Sequence, residues 1–393
     1  MLVAVSGGES SVALAHLLQE GTAASHKKLL FCPQLVWVDE GAVLGFTEQT
    51  RRQNTAEAVA RLGKFGFSVH VALLEDYNSD TVRVFAEPGQ VSYSGAAADS
   101  LAATFGRVRD RSGRQELLLQ LRRGVLLGAA RTLGCRKLLT GDTATRLAVE
   151  LMASVASGVG GGLPHRVGFR DNRDTVEDSG GDGVVIFRPM RELSSKEASL
   201  YCRYQQLDTW HGQEVQGAGG TIREVTQEFL VGLQDSFPST IPTVNRTGDK
   251  LAVAGGEDEG GGGEGEGGEA VCCLCQSRLD TDAMTRHNAL QATQYSSYIS
   301  AGGQLQPGAG HHNGGSGGGD ADPGCCGEGD GSCQTRSCQE VTLEDVMETL
   351  CYTCRRTFDK IDNVDDIPIS LLNKVKMRKR RNQMKDEISD FLL

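Results

Sequence analysis

No apolar run in this 393-residue chain approaches the roughly 20 residues that a membrane-crossing helix requires. The opening Met1-Leu-Val-Ala-Val-Ser6 has no basic n-region, and its apolar run is too short for a secretory signal. Aromatic residues make up only 5% of the sequence, so no stacking platform for nucleic-acid bases is visible. A surplus of positive charge is missing as well. The formal net charge is −11, which argues against bulk electrostatic attraction to nucleic acid. Neither a Walker loop nor a Rossmann fingerprint is present.

Glycine (51 residues) and cysteine (12 residues) are plentiful. Cysteines without a secretion signal point to a reducing compartment, the cytosol, where thiols bind metal or do chemistry. The length allows two or three domains with a sizeable core. Charge is uneven along it. Glu257, Asp258, Glu259, Glu264, Glu266 and Glu269 crowd one glycine-rich run, while Lys374, Lys376, Arg378, Lys379, Arg380 and Arg381 form a basic cluster.

Residues 1–250 alternate strand and helix signals. Strands are expected at Leu2–Val5, Lys28–Asp39, Val69–Leu74, Lys137–Thr140 and Val184–Phe187. Helices are expected at Ser11–Gln19, Thr47–Leu62, Arg114–Leu133, Thr145–Ser157, Ser195–Gln206 and Thr221–Gln234, with Phe237–Lys250 reading as irregular. Such alternation predicts an α/β fold with a doubly wound parallel sheet and right-handed crossovers. Residues 251–270 read as an acidic glycine-rich linker and 271–360 as a cysteine-bearing region with an insert at about 288–331 expected to be disordered. Residues 361–393 read as a basic, amphipathic tail.

The first strand runs into Ser6-Gly7-Gly8-Glu9-Ser10-Ser11 and then a helix. Glycines let the backbone approach an anion, and a helix N-terminus offers free N–H groups and a favourable dipole. Ser6 and Ser11 add hydroxyl donors. In a doubly wound sheet this loop lies at strand C-termini, where ligands bind. A plain strand-to-helix turn of small residues is the competing interpretation.

The loop resembles Ser-Gly-Gly-x-Asp-Ser, the PP-loop of ATP pyrophosphatases that adenylate a substrate. Val38-Asp39-Glu40-Gly41 looks like that family's segment near the adenine. Leu138-Leu-Thr-Gly141-Asp142-Thr-Ala-Thr145-Arg146 aligns with its second signature, Gly-His-x-Ala-Asp-Asp, and Phe187-Arg188-Pro-Met-Arg191-Glu192 followed by Lys196-Glu197 with the Arg-Pro-Leu…Lys-Glu block of its tRNA-thiolating branch. Arg188 can also serve simply to anchor a strand end through ion pairs. With Phe237-Pro-Ser-Thr240, Thr243-Val-Asn-Arg-Thr247 and the distal cysteine pairs, the chain is most similar to the cytoplasmic tRNA 2-thiolation protein 2 family, the divergent PP-loop subunit of that branch.

The resemblance implies a fold of the adenine nucleotide alpha-hydrolase-like type, with ATP held by Ser6, Gly7, Gly8, Ser11, Asp39, Gly141 and Asp142. It implies a heterodimer with a catalytic PP-loop subunit. That complex takes sulfur from a thiocarboxylated ubiquitin-related modifier and thiolates uridine 34 of tRNAs for Lys, Glu and Gln. Three departures point to a subunit deficient in catalysis. Ser10 replaces the acid of the loop, Thr145 and Arg146 replace the paired acids, and Gln115–Arg123 keeps a basic helix without a Cys-x-x-Cys. Ser10 cannot replace a carboxylate as a ligand for Mg²⁺. An active sulfurtransferase, or a zinc-bearing scaffold without a nucleotide site, remain the alternatives. Family members also carry a cysteine-rich segment ahead of the phosphate loop, which this chain is expected to lack.

Cys272-Cys-Leu-Cys275 and Cys351-Tyr-Thr-Cys354 each contain the Cys-x-x-Cys knuckle that places two thiolates on one tetrahedral ion. Together they predict a C-terminal metal ribbon holding zinc through Cys272, Cys275, Cys351 and Cys354. Residues 276–350 make a long loop, but closure entropy grows slowly with length. Cys325, Cys326, Cys333 and Cys338 compete as ligands. Cys32, Cys135 and Cys202 lack any motif and are expected to be buried small hydrophobes. The C-terminal cations can contact tRNA phosphates or form a solvated face balanced by Asp386, Glu387 and Asp390.

Overall fold

The computed structural model describes residues 1–23, 31–79, 81–108, 110–160, 162–176, 183–210, 220–251, 271–279, 341–358, 361, 363–364 and 367–389. The linker at 252–270 and the insert at 288–331 lie outside the described residues, as do Cys325, Cys326, Cys333, Cys338 and Asp390.

Seven strands form one sheet: β1 (Leu2–Ala4), β2 (Gln34–Asp39), β3 (Ser68–Leu73), β4 (Val84–Phe85), β5 (Lys137–Leu139), β6 (Arg170–Asp171) and β7 (Val185–Phe187). Their spatial order is β4-β3-β2-β1-β5-β7-β6. The five central strands are parallel, and the two-residue edge strands β4 and β6 are antiparallel. The order reverses at β1, which pairs β2 on one side and β5 on the other. That reversal opens a crevice at the strand C-termini, where ligands of doubly wound sheets sit. The expected doubly wound parallel sheet is therefore present.

Thirteen helices are found among the described residues. α1 (Glu9–Thr22), α2 (Glu48–Gly63), α3 (Gly95–Arg107), α4 (Arg111–Thr132), α5 (Ala144–Ala156), α6 (Leu163–Val167) and α7 (Arg173–Val176) are interleaved with the strands. α8 (Ser195–Tyr204), α9 (Ile222–Ser236), α10 (Thr240–Asp249), α11 (Leu343–Glu348), α12 (Tyr352–Phe358) and α13 (Ile369–Ser389) follow. Strand alternation divides the core between the two faces of the sheet. Leu2, Val36, Ala72, Leu138 and Ile186 pack with α3 and α4, while Val3, Val5, Leu35, Val69 and Leu139 pack with α1 and α8.

The ribbon and C-terminal helix join the first of these cores. Cys272, Cys275, Leu350, Cys354, Phe358, Leu371 and Val375 are buried in the same cluster as Leu117 and Leu121 of α4. Two glycines of the α5–α6 loop make the close fit. A Cβ on Gly162 would lie 2.1 Å from Ser277 Oγ, and one on Gly158, at φ +79, would lie 2.6 Å from the Tyr352 ring.

Phe237–Lys250, expected to be irregular, contains α10. Its β-branched Thr240, Ile241, Thr243 and Val244 and its Pro242 disfavour a helix locally, yet Pro242 lies in the first turn, where no intrahelical donor is needed. Packing of Ile241 and Val244 against α5 supplies the rest. Cys135 and Cys202 are buried as expected, whereas Cys32 is exposed. It lies just ahead of β2, which begins at Gln34, whereas residues 31–33 are not strand and Lys28–Leu30 of the expected strand lie outside the described residues.

Candidate functional site: the switch-point crevice and a tetrathiolate ribbon

The phosphate-type loop leaves β1 and enters α1 at Glu9. Gly8 is the N-cap and supplies no side-chain cap, so the first N–H groups of α1 are not taken by a capping side chain. Ser11 Oγ donates to Gly8 O at 2.9 Å and lies 3.3 Å from Ser6 Oγ, which places both hydroxyls on the loop. Gly7 sits at φ +90, where a side chain is strained. Its Cβ position lies 2.1 Å from Trp210 Cε2, and Trp210 N donates to Gly7 O at 2.9 Å. Trp210 thus packs directly on the loop.

Gly141, after β5, meets the same loop. A Cβ there would lie 2.9 Å from Ser11 Cα, so only glycine permits this backbone approach. The two glycine-bearing turns from the strands flanking the switch point therefore touch. Asp142 accepts from Thr140 Oγ1 at 2.8 Å and pairs with Arg188 Nε at 3.4 Å. Arg188 also donates to Gly168 O at 2.7 Å and lies 3.8 Å from Asp171. It does anchor the end of β7, while standing beside Asp142.

In the positions of the acidic pair, Thr145 Oγ1 accepts from Ser195 N at 3.1 Å and Arg146 is exposed. The structure puts hydroxyl and guanidinium groups where the resembled motif has paired acids.

Asp39 is engaged inside the protein. Its carboxylate accepts from Gly41 N at 3.0 Å and Arg51 Nε at 2.6 Å, and Arg51 Nη2 reaches Glu75 at 2.5 Å. The Tyr93 ring lies 4.5 Å from the Arg51 guanidinium carbon. Burial pushes Asp39 and Glu75 above the ordinary carboxyl range, with the charge of Arg51 opposing it. Glu40, by contrast, points to Arg122 of α4, which grips it through Nε and through Nη2 at 2.8 Å. Nothing in the motif predicted Arg51, Glu75 or Trp210, because each comes from a distant element. Arg122 lay within the noted basic helix.

The second centre unites all four expected cysteines. The Sγ atoms of Cys272, Cys275, Cys351 and Cys354 lie within 4.8 Å of one another, and Cys275 and Cys351 are 3.7 Å apart. A tetrahedral ion with sulfur at about 2.3 Å requires sulfurs ~3.8 Å apart, so these residues fit a single metal ion. A polynuclear cluster adds bridging sulfides and spreads its cysteines more widely. Four sulfurs this close, three of them on buried cysteines and Cys351 half-buried, cannot all ionise without a cation. Hydrogen bonds from Cys272, Cys351 and Cys354 hold the Cys275 thiol well below the usual range, while Cys351 and Cys354 are held above it.

The knuckle is closed by Cys272 N donating to Ser277 O at 2.8 Å and by a Val271–Arg278 bridge. Gln276 takes φ +58, a position where glycine is the unstrained choice. On the surface beyond, α13 presents Lys374, Lys376, Arg380 and Arg381 as exposed residues, while Lys379 pairs with Asp345 at 2.9 Å. No helix among the described residues is long and apolar enough to cross a membrane.

A doubly wound sheet with a glycine-serine loop after β1, touching a second glycine turn after β5, defines an α/β protein with a phosphate-type loop at its switch point, here joined to a four-cysteine centre. Residues 221–356 match the sequence family described as Cytoplasmic tRNA 2-thiolation protein 2. Cytoplasmic tRNA 2-thiolation protein 2-A of Xenopus laevis is 30% identical over 468 residues, covering 100% of this chain and 85% of the relative. Cytoplasmic tRNA 2-thiolation protein 2 of Homo sapiens is 30% identical over 461 residues, covering 100% and 84%. Among solved structures, the U34-tRNA thiolase NcsA from Methanococcus maripaludis with its 4Fe-4S cluster is similar at a TM-score of 0.45 and 16% identity, over 71% of this chain and 80% of that one. The chain belongs to the cytoplasmic tRNA 2-thiolation protein 2 family.

Proposed function

We propose that this chain is a cytosolic subunit of the complex that 2-thiolates the wobble uridine, U34, of tRNAs for Lys, Glu and Gln, with sulfur supplied by a thiocarboxylated ubiquitin-related modifier. In this reading it binds tRNA and supports a catalytic PP-loop partner. The observation that carries the supporting role is the pair of replacements at the crevice, Ser10 in the loop and Thr145 with Arg146 after β5. A Mg²⁺–triphosphate is usually held through one or two carboxylates, and both positions have lost theirs. Ser6, Gly7, Gly8, Ser11, Gly141 and Asp142, with Asp39 at the end of β2, are the proposed cradle for a phosphate-bearing ligand. Zinc is the metal assigned to the four cysteines, on their mutual spacing and all-thiolate donor set.

Nucleoside mass spectrometry of tRNA after deletion of the gene tests the reading. Wobble 2-thiouridine is expected to disappear, and an unchanged level would sink it. ATP–pyrophosphate exchange by the purified chain is expected to stay at background with tRNA present. Clear tRNA-stimulated exchange would instead make the chain an enzyme in its own right.

A further inference from the structure

Three guanidinium groups of the α/β unit lie beside the first knuckle and act on the Cys275 sulfur. Arg173 of α7 donates through Nη1 to Cys275 O at 2.9 Å and to Ser277 Oγ at 3.3 Å. Ser277 Oγ is itself 3.3 Å from Cys275 Sγ. Arg123 of α4 donates through Nη1 to Gln276 Oε1 at 2.7 Å. Arg166 of α6 pairs with Glu116 and Glu150. Burial works against the charge of Arg166, and Glu116, Glu150 and the Cys275 sulfur together outweigh it.

One acid holds two of these cations in place. Asp171 is fully buried, accepts from Arg173 at 2.9 and 2.7 Å, and lies 3.5 Å from Arg123 Nε. Arg123 Nε and Nη2 are buried without a hydrogen-bond acceptor, so part of this cation is left for charge balance alone. Four thiolates on one divalent ion leave two negative charges in the interior, and an uncompensated buried charge is strongly destabilising. Gln276 gives an independent sign. It holds a backbone conformation that favours glycine, and its side chain is the acceptor for Arg123.

We infer that Arg123 and Arg173, aligned by Asp171, are the outer partners of the metal centre. They offset part of the charge on the tetrathiolate and clamp the first knuckle, so retention of the ion depends on the α/β unit as well as on the four ligands. Groups behind metal ligands commonly set affinity by 10–100-fold. The inference rests on the metal reading of the four cysteines.

The test uses the full-length chain loaded with Co²⁺, whose thiolate charge-transfer and d–d bands report tetrahedral binding, with affinity read by chelator competition. Arg123→Gln and Arg173→Gln are expected to bind about 10–100-fold more weakly, with the tetrahedral spectrum kept. Arg83→Gln, which breaks the Arg83–Asp76 pair instead, is expected to keep wild-type affinity. Gln276→Gly decides even if an arginine variant fails to fold. It relieves the strained φ, so a merely structural residue would leave metal release unchanged or slower, whereas loss of the Arg123 clamp speeds it severalfold. Wild-type affinity in the arginine variants, or unchanged release from Gln276→Gly, overturns the inference while the metal reading stands. Failure of the unmodified chain to take up Co²⁺ or Zn²⁺ overturns both.

Discussion

Arg51 donates its Nε–H to the Asp39 carboxylate at 2.6 Å in a region where the two side chains are 3% and 4% exposed. Glu75, wholly buried on the other side of the same guanidinium, makes this a compact acid–base–acid triad at the C-terminal ends of β2 and β3. Removing the shared cation leaves two buried carboxyls facing each other. Arg51→Ala is expected to cost about 3–5 kcal/mol, the range for breaking a buried pair, measured by urea unfolding.

The triad also has a pH signature. Burial raises Asp39 and Glu75 above their ordinary values of 3.8 and 4.5. The folded protein therefore holds these protons more tightly than the unfolded chain. Their contribution to stability is full below the ordinary values and fades as pH rises through the raised ones. Glu75→Gln should flatten the fall in unfolding free energy on going from acid toward neutral pH, and an unaltered slope would count against the triad's role.

Glu150 acts in the opposite sense. Its burial is overcome by Arg223 and Arg166, which hold its carboxyl down to about 2 from an ordinary 4.5. This contribution is complete above 4.5 and lost as pH falls toward 2. Glu150→Gln should be less stable at neutral pH and lose less on acidification, as read by thermal melts across that interval.

Gly7→Ala should disturb the phosphate-type loop directly. The substitution meets both a positive φ and the Trp210 ring. A cost of about 1–3 kcal/mol is expected from the backbone alone, with a change in tryptophan emission as the indole is displaced. Unchanged emission and stability would show that the Trp210 contact is not maintained in solution.

On the tRNA reading, Lys374→Glu with Lys376→Glu should weaken tRNA retention and reduce its salt dependence. Each lost phosphate contact lowers the slope of log affinity against log salt by about 0.9 on a duplex. Filter binding at several salt concentrations measures this, and an identical slope would remove α13 from the tRNA surface.

Much of the fold was legible because buried parallel strands such as Leu35–Val38 and Leu138–Leu139 leave short apolar runs between helical periodicities. The edge strands Val84–Phe85 and Arg170–Asp171 were not, since two residues carry no period and only their neighbours β3 and β7 make them strands. The helix at Thr240–Asp249 was hidden for a related reason: its propensity is poor and its packing on α5 is tertiary. At the site, the two Cys-x-x-Cys spacings anticipated that these four sulfurs come together among the described residues. Sequence motifs named Asp39 without revealing that Arg51 holds it, because a partner twelve residues away on another element leaves no local mark.

Arg122 and Arg123 are neighbours on α4, separated by about 100° around the helix. The first grips Glu40 beside the crevice, and the second reaches Gln276 at the ribbon. A single rigid rod thus carries a hand in each compartment, and no hinge lies between them. Rotation that drew Arg122 away from Glu40 would swing Arg123 against its own partners. The crevice and the ribbon consequently share one mechanical axis, and a molecule that displaces Glu40 works against the same shaft that secures the cysteines.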